Sequence, residues 1–147
     1  MKTGGFLFSS NQIKEIELCI QNAELNTSGE IRVHIDKYCK GDALDFAKHI
    51  FHKQKMHETL LRNGVLFFLA TKHKKFAIVG DEGIHKNVPE GFWDAVRNKM
   101  QNQFREGKFT EGLCDGIEMT SIELKKYFPR LASDKNELSN EVTFGDN

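Results

Sequence analysis

The 147-residue chain lacks an excess of charge of either sign, because 21 Lys and Arg residues balance 21 Asp and Glu residues. Proteins that bind nucleic acid normally carry a basic excess or a basic stripe. No segment approaches the ~20 consecutive apolar residues that span a bilayer. The N-terminal apolar run is only three residues long, from Phe6 to Phe8, whereas a secretion signal needs roughly 7 to 15. These absences argue against a nucleic-acid partner and a transmembrane segment, and they predict a soluble protein.

Cysteine is also scarce. Cys19, Cys39 and Cys114 are odd in number and lack the spacing of a metal site or of a paired disulfide framework. The pattern predicts free thiols, which are typical of a reducing compartment. We therefore expect a cytoplasmic location.

What the chain does contain is enough apolar sequence for one hydrophobic core, including 12 Phe residues. Ser9 and Gln12 have the spacing of a capping box, so a first helix is expected over 10–24. Strict alternation over 30–36 predicts a strand with one wetter face. Two short apolar runs, at 64–70 and from 75 onward, predict two central strands joined as a hairpin.

Between the first two strands, Asp42 can cap a helix that ends near Met56. Such strand, helix, strand units almost always join parallel strands, so the third strand should be antiparallel to the second. The spacing predicts two further helices, one with Pro89 in its first turn and one capped by Thr110. Gly112 and Gly116 lie on one side of the latter and suggest close approach of another backbone.

Residues after about 130 are mostly polar and show no sustained period. We expect a domain over 1–130 and a polar, mobile C-terminal tail over 131–147.

Polar side chains gather at one edge of the predicted sheet, where the starts of the first two strands meet the end of the third. This topology brings together Glu30, Asn63, Asp81 and Glu82. Adjacent strands lie about 4.8 Å apart, and hard cations bind oxygen atoms at about 2.3 to 2.6 Å. The sequence therefore predicts a Ca²⁺ or Mg²⁺ site with these four residues as metal ligands.

Two alternatives remain open for this edge. If the 30–36 strand is not adjacent to the third strand, Glu30 drops out of the set. Asp81 can also serve structurally, accepting backbone N–H groups in the turn at Gly83 and forming a surface ion pair with Arg62.

Several ordered motifs resemble those of the TPM domain family. They are the segments 28–33, 59–66 and 76–84, followed by Phe92-Trp93, Phe109, Glu111-Gly112-Leu113 and Tyr127-Phe128-Pro129. The resemblance spans about residues 8–129. It implies a three-layer α/β/α sandwich with a small mixed central sheet flanked by helices, which agrees with the fold expected from periodicity.

The resemblance also implies divalent-cation binding, weak acid phosphatase activity and, in membrane-anchored members, roles in photosystem maintenance or receptor modulation. Family members often carry an acidic residue before the Asn-Gly pair, and Arg62 stands there in this chain. We therefore expect a divalent-cation-binding interaction module, monomeric, with a protein partner such as a membrane-anchored relative. The alternative is a weak, metal-assisted acid phosphatase acting on small phosphate esters.

Overall fold

The computed structural model describes residues 8–131 and 139–145. Five helices lie in this part of the chain: α1 (Ser10–Glu24), α2 (Ala43–Lys53), α3 (Glu82–His85), α4 (Phe92–Arg105) and α5 (Phe109–Leu124). A short 3-10 turn, Met56–Glu58, follows α2. The strands are β1 (Glu30–Asp36), β2 (Gly64–Ala70), β3 (Lys75–Gly80) and β4 (Thr143–Phe144), in the sheet order β3-β2-β1-β4.

The sheet confirms the predicted strand directions. β1 and β2 are parallel, with Glu30 opposite Gly64 and Asp36 opposite Ala70. β2 and β3 are antiparallel, with Val65 opposite Gly80 at one end and Ala70 opposite Lys75 at the other. β2 is buried along its whole length because helices cover both of its faces.

Alternation along the strands divides the core into two layers. Side chains at odd positions of β1 and β2 pack beneath α1, α4 and α5, and they include Ile31, Val33 and Phe67. Side chains of the opposite parity, including Leu66 and Phe68, pack beneath α2. The result confirms the expected three-layer α/β/α sandwich.

Helix starts agree with the sequence in part. The capping box at Ser9 and Gln12 is present, and Asp42 caps α2. Two expected starts are wrong: α4 begins at Phe92, after Gly91, and α5 begins at Phe109 without a side-chain cap. Thr110 lies inside the first turn of α5, where its hydroxyl has no hydrogen-bond partner among the described residues.

The glycines of α5 make room for side chains. A Cβ atom on Gly112 would lie 2.6 Å from the Phe104 ring, and one on Gly116 would lie 2.5 Å from the Met100 sulfur. Side chains of α4 therefore fill the space that the missing Cβ atoms leave, and this allows α4 and α5 to pack closely together.

The expectation of free thiols is wrong for two of the three cysteines. Cys19 on α1 and Cys114 on α5 form a disulfide with their Cα atoms 5.7 Å apart. Sequence spacing could not reveal this pair, because 95 positions separate the two residues and only helix packing brings them together. Cys39 is free and buried, and burial raises the pKa of its thiol.

Part of the C-terminal tail lies on the sheet. β4 pairs in parallel with β1, with Thr143 opposite His34. The Thr143 hydroxyl lies 2.6 Å from His34 Nδ1 and accepts a hydrogen bond of 2.9 Å from Gln54 Nε2. Residues 132–138 and 146–147 of the predicted tail, and the N-terminal residues 1–7, lie outside the described residues.

Among the helices of residues 8–131 and 139–145, none has both the length and the apolar character needed to cross a membrane.

Candidate functional site

The end of β3 presents a buried carboxylate. Asp81 follows Gly80 directly, is 6% exposed and is the N-cap residue of α3, where its Oδ1 accepts a 2.8 Å hydrogen bond from the Glu82 N–H. Its own N–H donates to the Gly64 carbonyl and so extends the β2-β3 ladder by one residue. Glu82 begins a short helix, and its side chain remains exposed.

Arg62 clamps this carboxylate with both arms of its guanidinium. Its Nε donates to Asp81 Oδ2 at 2.8 Å and its Nη2 to Asp81 Oδ1 at 2.9 Å. Its Nη1 donates to Glu82 Oε1 at 3.2 Å. A bidentate, charge-assisted pair is among the strongest side-chain contacts. The pKa of Arg62 is raised accordingly, chiefly by its hydrogen bond to Asp81.

The backbone around Arg62 is tightly fitted. Arg62 has a φ of 51°, in the left-handed region, and its carbonyl accepts a 2.9 Å hydrogen bond from the Gly83 N–H. A Cβ atom on Gly83 would overlap the Leu61 and Arg62 carbonyls. The 59–63 loop therefore packs directly on α3, which places the guanidinium over Asp81.

Glu30 lies at the same end of the sheet but has a different partner. β2 separates β1 from β3, so the condition under which Glu30 leaves the predicted ligand set is met. Glu30 is 2% exposed and forms a buried carboxyl pair with Glu24, the last residue of α1. Glu24 Oε2 also accepts a 3.0 Å hydrogen bond from the Ile31 N–H and so satisfies a donor at the edge of the sheet.

The pKa of Glu24 is raised to about 8, chiefly by burial and also by the neighbouring Glu30, against the hydrogen bond from the Ile31 N–H. Two carboxyl groups held together in this way share a proton more favourably than they both ionise. Glu24 was not among the residues predicted for this end of the sheet. The available signal was its position four residues after Ile20, on the apolar stripe of α1.

Asn63 makes a third, separate set of contacts. Its Nδ2 donates to the Ser28 hydroxyl at 3.4 Å, and its backbone carbonyl accepts from the Glu30 N–H at 3.2 Å. Its Oδ1 is buried with no hydrogen-bond partner among the described residues. The four predicted ligands thus share one end of the sheet, while their side chains contact three different partners: Arg62, Glu24 and Ser28.

The donor chemistry at Asp81 and Glu82 suits a hard cation, which binds carboxylate oxygen atoms. In this structure Arg62 supplies the positive charge between these two carboxylates. Within residues 8–131 and 139–145, no three His, Cys, Asp or Glu side chains are grouped so as to hold a metal ion. Asp81 and Glu82 therefore fit a divalent cation only in competition with Arg62.

Two apolar side chains project beside the clamp. Leu60 and Leu61 precede Arg62 and are 87% and 50% exposed. In the sequence these two residues belong only to the 59–66 family motif, and leucine is more often buried than exposed.

Comparison with known proteins agrees with this architecture. The model of the TPM domain family matches residues 5–121. The chain is similar to the BA42 protein of the psychrophilic bacterium Bizionia argentinensis, whose NMR structure it matches with 44% identity and a TM-score of 0.90, covering 99% of this chain and 100% of that one. No curated protein matches the chain significantly.

Two more distant solution structures share the fold. The N-terminal domain of a protein from P. gingivalis has 19% identity and a TM-score of 0.65, with 83% of this chain and 79% of that chain covered. The N-terminal domain of the cg2496 protein from Corynebacterium glutamicum has 13% identity and a TM-score of 0.63, with 96% and 83% covered. The family match over most of the chain, together with the α/β/α sandwich, shows that this protein belongs to the TPM domain family.

Proposed function

We propose that this TPM domain is a divalent-cation-responsive interaction module, in which Arg62 and a Ca²⁺ or Mg²⁺ ion compete for the carboxylates of Asp81 and Glu82. The observation that carries the proposal is the Arg62 clamp itself. It binds one buried and one exposed carboxylate at 2.8 to 3.2 Å, and it belongs to the loop that exposes Leu60 and Leu61.

The charge of Asp81 is the physical basis of the competition. Asp81 is almost completely buried, and a buried carboxylate needs a cationic or hydrogen-bonding partner. Arg62 meets this need, but its side chain is 40% exposed and can move into solvent. When a cation is bound by Asp81 and Glu82, Arg62 is released and the 59–63 loop loses its strongest side-chain contact with α3.

The loop also provides the proposed partner surface. Exposed apolar patches rimmed by polar residues mark protein interaction sites, and the neighbouring Leu60 and Leu61 beside the clamp form a small patch of this kind. A change in Arg62 would alter how Leu60 and Leu61 are presented, which links cation binding to recognition of a protein partner. The membrane-anchored relative expected from the family resemblance is the partner class that we propose for this surface.

Calcium titration followed by ¹⁵N NMR tests the competition. We expect saturable shifts of the amides in 59–63 and 80–85, and no such shifts in the Asp81→Asn variant. Arg62→Gln removes the competitor and should therefore bind calcium more tightly than the native chain. The same variant should unfold at lower urea without calcium and recover when calcium is added.

Arg97→Gln is the matched control, because Arg97 forms an ion pair with Asp94 in which both side chains are exposed. This variant should bind calcium like the native chain. If calcium fails to shift the 80–85 amides in both the native and the Arg62→Gln proteins, Arg62 and Asp81 form a purely structural pair and the proposal is wrong.

The phosphatase alternative is favoured by one observation. Once displaced from Asp81, the half-exposed Arg62 guanidinium has the planar donor geometry that binds phosphoryl oxygens. This activity requires steady phosphate release from p-nitrophenyl phosphate with Mg²⁺ or Ca²⁺, abolished by Asp81→Asn. Calcium-dependent shifts without phosphate release would support the interaction module alone.

A further inference from the structure

A concave site lies at the opposite end of the sheet from Asp81. It is a cavity of about 390 Å³ between the β2-β3 hairpin and the turn that joins α4 to α5. Its walls include Leu69 and three half-buried phenylalanines, Phe76, Phe104 and Phe109. The Phe104 ring lies 5.1 Å from Phe76 and 5.5 Å from Phe109, centroid to centroid, so the aromatic side chains form one continuous wall.

Two cationic side chains line the same cavity, Lys74 from the hairpin and Arg105 from the last turn of α4. Within the described parts of the chain, neither forms an ion pair or a side-chain hydrogen bond. The adjacent acid, Glu106, is already paired with Lys108 at 3.3 Å. The cavity thus combines an aromatic interior with two positive charges that have no described counter-charge.

We propose that this cavity binds a small organic anion with an apolar body, of the medium-chain carboxylate class. Its volume lies within the roughly 300 to 1,000 Å³ of small-molecule sites, which are mostly apolar with a few polar groups that fix orientation. The apolar body lies against Phe76, Phe104 and Phe109, while the carboxylate faces Lys74 and Arg105. The six-residue rise along β2 places this site about 20 Å from Asp81, so it is independent of the cation competition.

Octanoate is the probe, and ¹⁵N and aromatic ¹³C NMR of the full chain is the measurement. We expect saturable shifts confined to Leu69, Thr71, Lys74, Phe76, Phe104 and Phe109. Octan-1-ol has the same body without the charge and should bind about tenfold more weakly, since two exposed charge contacts together correspond to about that factor. Acetate has the charge without the body and should produce no saturable shift.

Paired variants separate the two features of the site. Lys74→Gln with Arg105→Gln should weaken octanoate binding about tenfold and leave octanol binding unchanged. Lys72→Gln with Lys99→Gln is the matched control, because it removes the same charge from exposed positions outside the cavity. Gln101→Trp adds bulk at the cavity from an exposed helix position and should abolish binding while the amide spectrum elsewhere stays native.

Three outcomes would overturn the proposal. One is equal affinity for octanol and octanoate, which would make the cavity a neutral apolar site. Another is an equal loss of affinity in both charge-removal pairs. The third is the lack of any saturable shift of the cavity residues when octanoate is added to the native chain.

Discussion

The buried carboxyl pair of Glu24 and Glu30 predicts an unusual dependence of stability on pH. Glu24 is 5% exposed, and its pKa is raised from 4.5 to about 8, first by burial and then by Glu30, against the Ile31 N–H. The charged groups that face it besides Glu30 are Arg130 and, from β1, Arg32. In the folded protein Glu24 therefore holds a proton that the unfolded chain has already lost at neutral pH.

The sign of the effect follows from proton linkage. Between pH 4.5 and 8 the unfolded chain binds fewer protons at Glu24 than the folded protein does, so the free energy of unfolding falls as pH rises. The contribution is fully present below pH 4.5 and is lost as pH approaches 8. One proton linked in this way changes stability by at most about 1.4 kcal/mol per pH unit. From pH 5 to pH 7 we expect a loss of about 2 to 3 kcal/mol from this group.

Glu24→Gln isolates the effect from other titrating groups. The neutral amide resembles the protonated carboxyl, because its oxygen can accept from Ile31 and its N–H₂ can donate to Glu30. We expect the variant and the native protein to have similar stability at pH 5 and the variant to be more stable at pH 7. Urea unfolding monitored by circular dichroism at half-unit pH steps measures the difference.

Glu15→Gln is the matched control, because Glu15 lies on an exposed position of the same helix. The difference in the free energy of unfolding between Glu15→Gln and the native protein should not change with pH. A pH-independent difference between Glu24→Gln and the native protein would refute the shared-proton interpretation, since Glu24 would then ionise alike in the folded and unfolded states.

Two further predictions concern covalent and backbone constraints. Replacing Cys19 and Cys114 by serine should lower the free energy of unfolding by about 2 to 4 kcal/mol. Dithiothreitol should lower the free energy of unfolding of the native protein by the same amount. If reductant has no effect on urea unfolding of the native protein, the disulfide does not form. Gly83→Ala should destabilise the protein by about 1 to 3 kcal/mol through overpacking, because the new Cβ overlaps the Leu61 and Arg62 carbonyls. An unchanged thermal midpoint in Gly83→Ala would contradict the tight fit of this loop.

The disulfide also bears on location. Free thiols were one basis for expecting a cytoplasmic protein, and the Cys19 and Cys114 pair removes it, since disulfides persist mainly in oxidising compartments. The cytoplasmic location therefore remains a prediction that the cysteines do not support. The monomeric state also remains a prediction.

Local patterns in the sequence were sufficient for most of the layered architecture. The bounds of α1, β1 and β2 agree with the expected ranges of 10–24, 30–36 and 64–70, because helical and strand periodicities are properties of adjacent residues. The directions of the strands followed from the handedness of the crossover and from the hairpin. Helix starts were less certain, since Thr110 has a side chain suited to capping but lies one residue inside α5.

Local sequence patterns were enough to predict which oxygen-bearing side chains reach one end of the sheet, because strand order and direction place Glu30, Asn63 and Asp81 there. The contacts of those side chains depend instead on tertiary packing. Whether Asp81 faces a metal ion, a turn or Arg62 depends on the path of the 59–63 loop over α3, and the partner of Glu30 depends on where α1 ends. These contacts join residues distant in sequence through packing, so no local pattern specifies them.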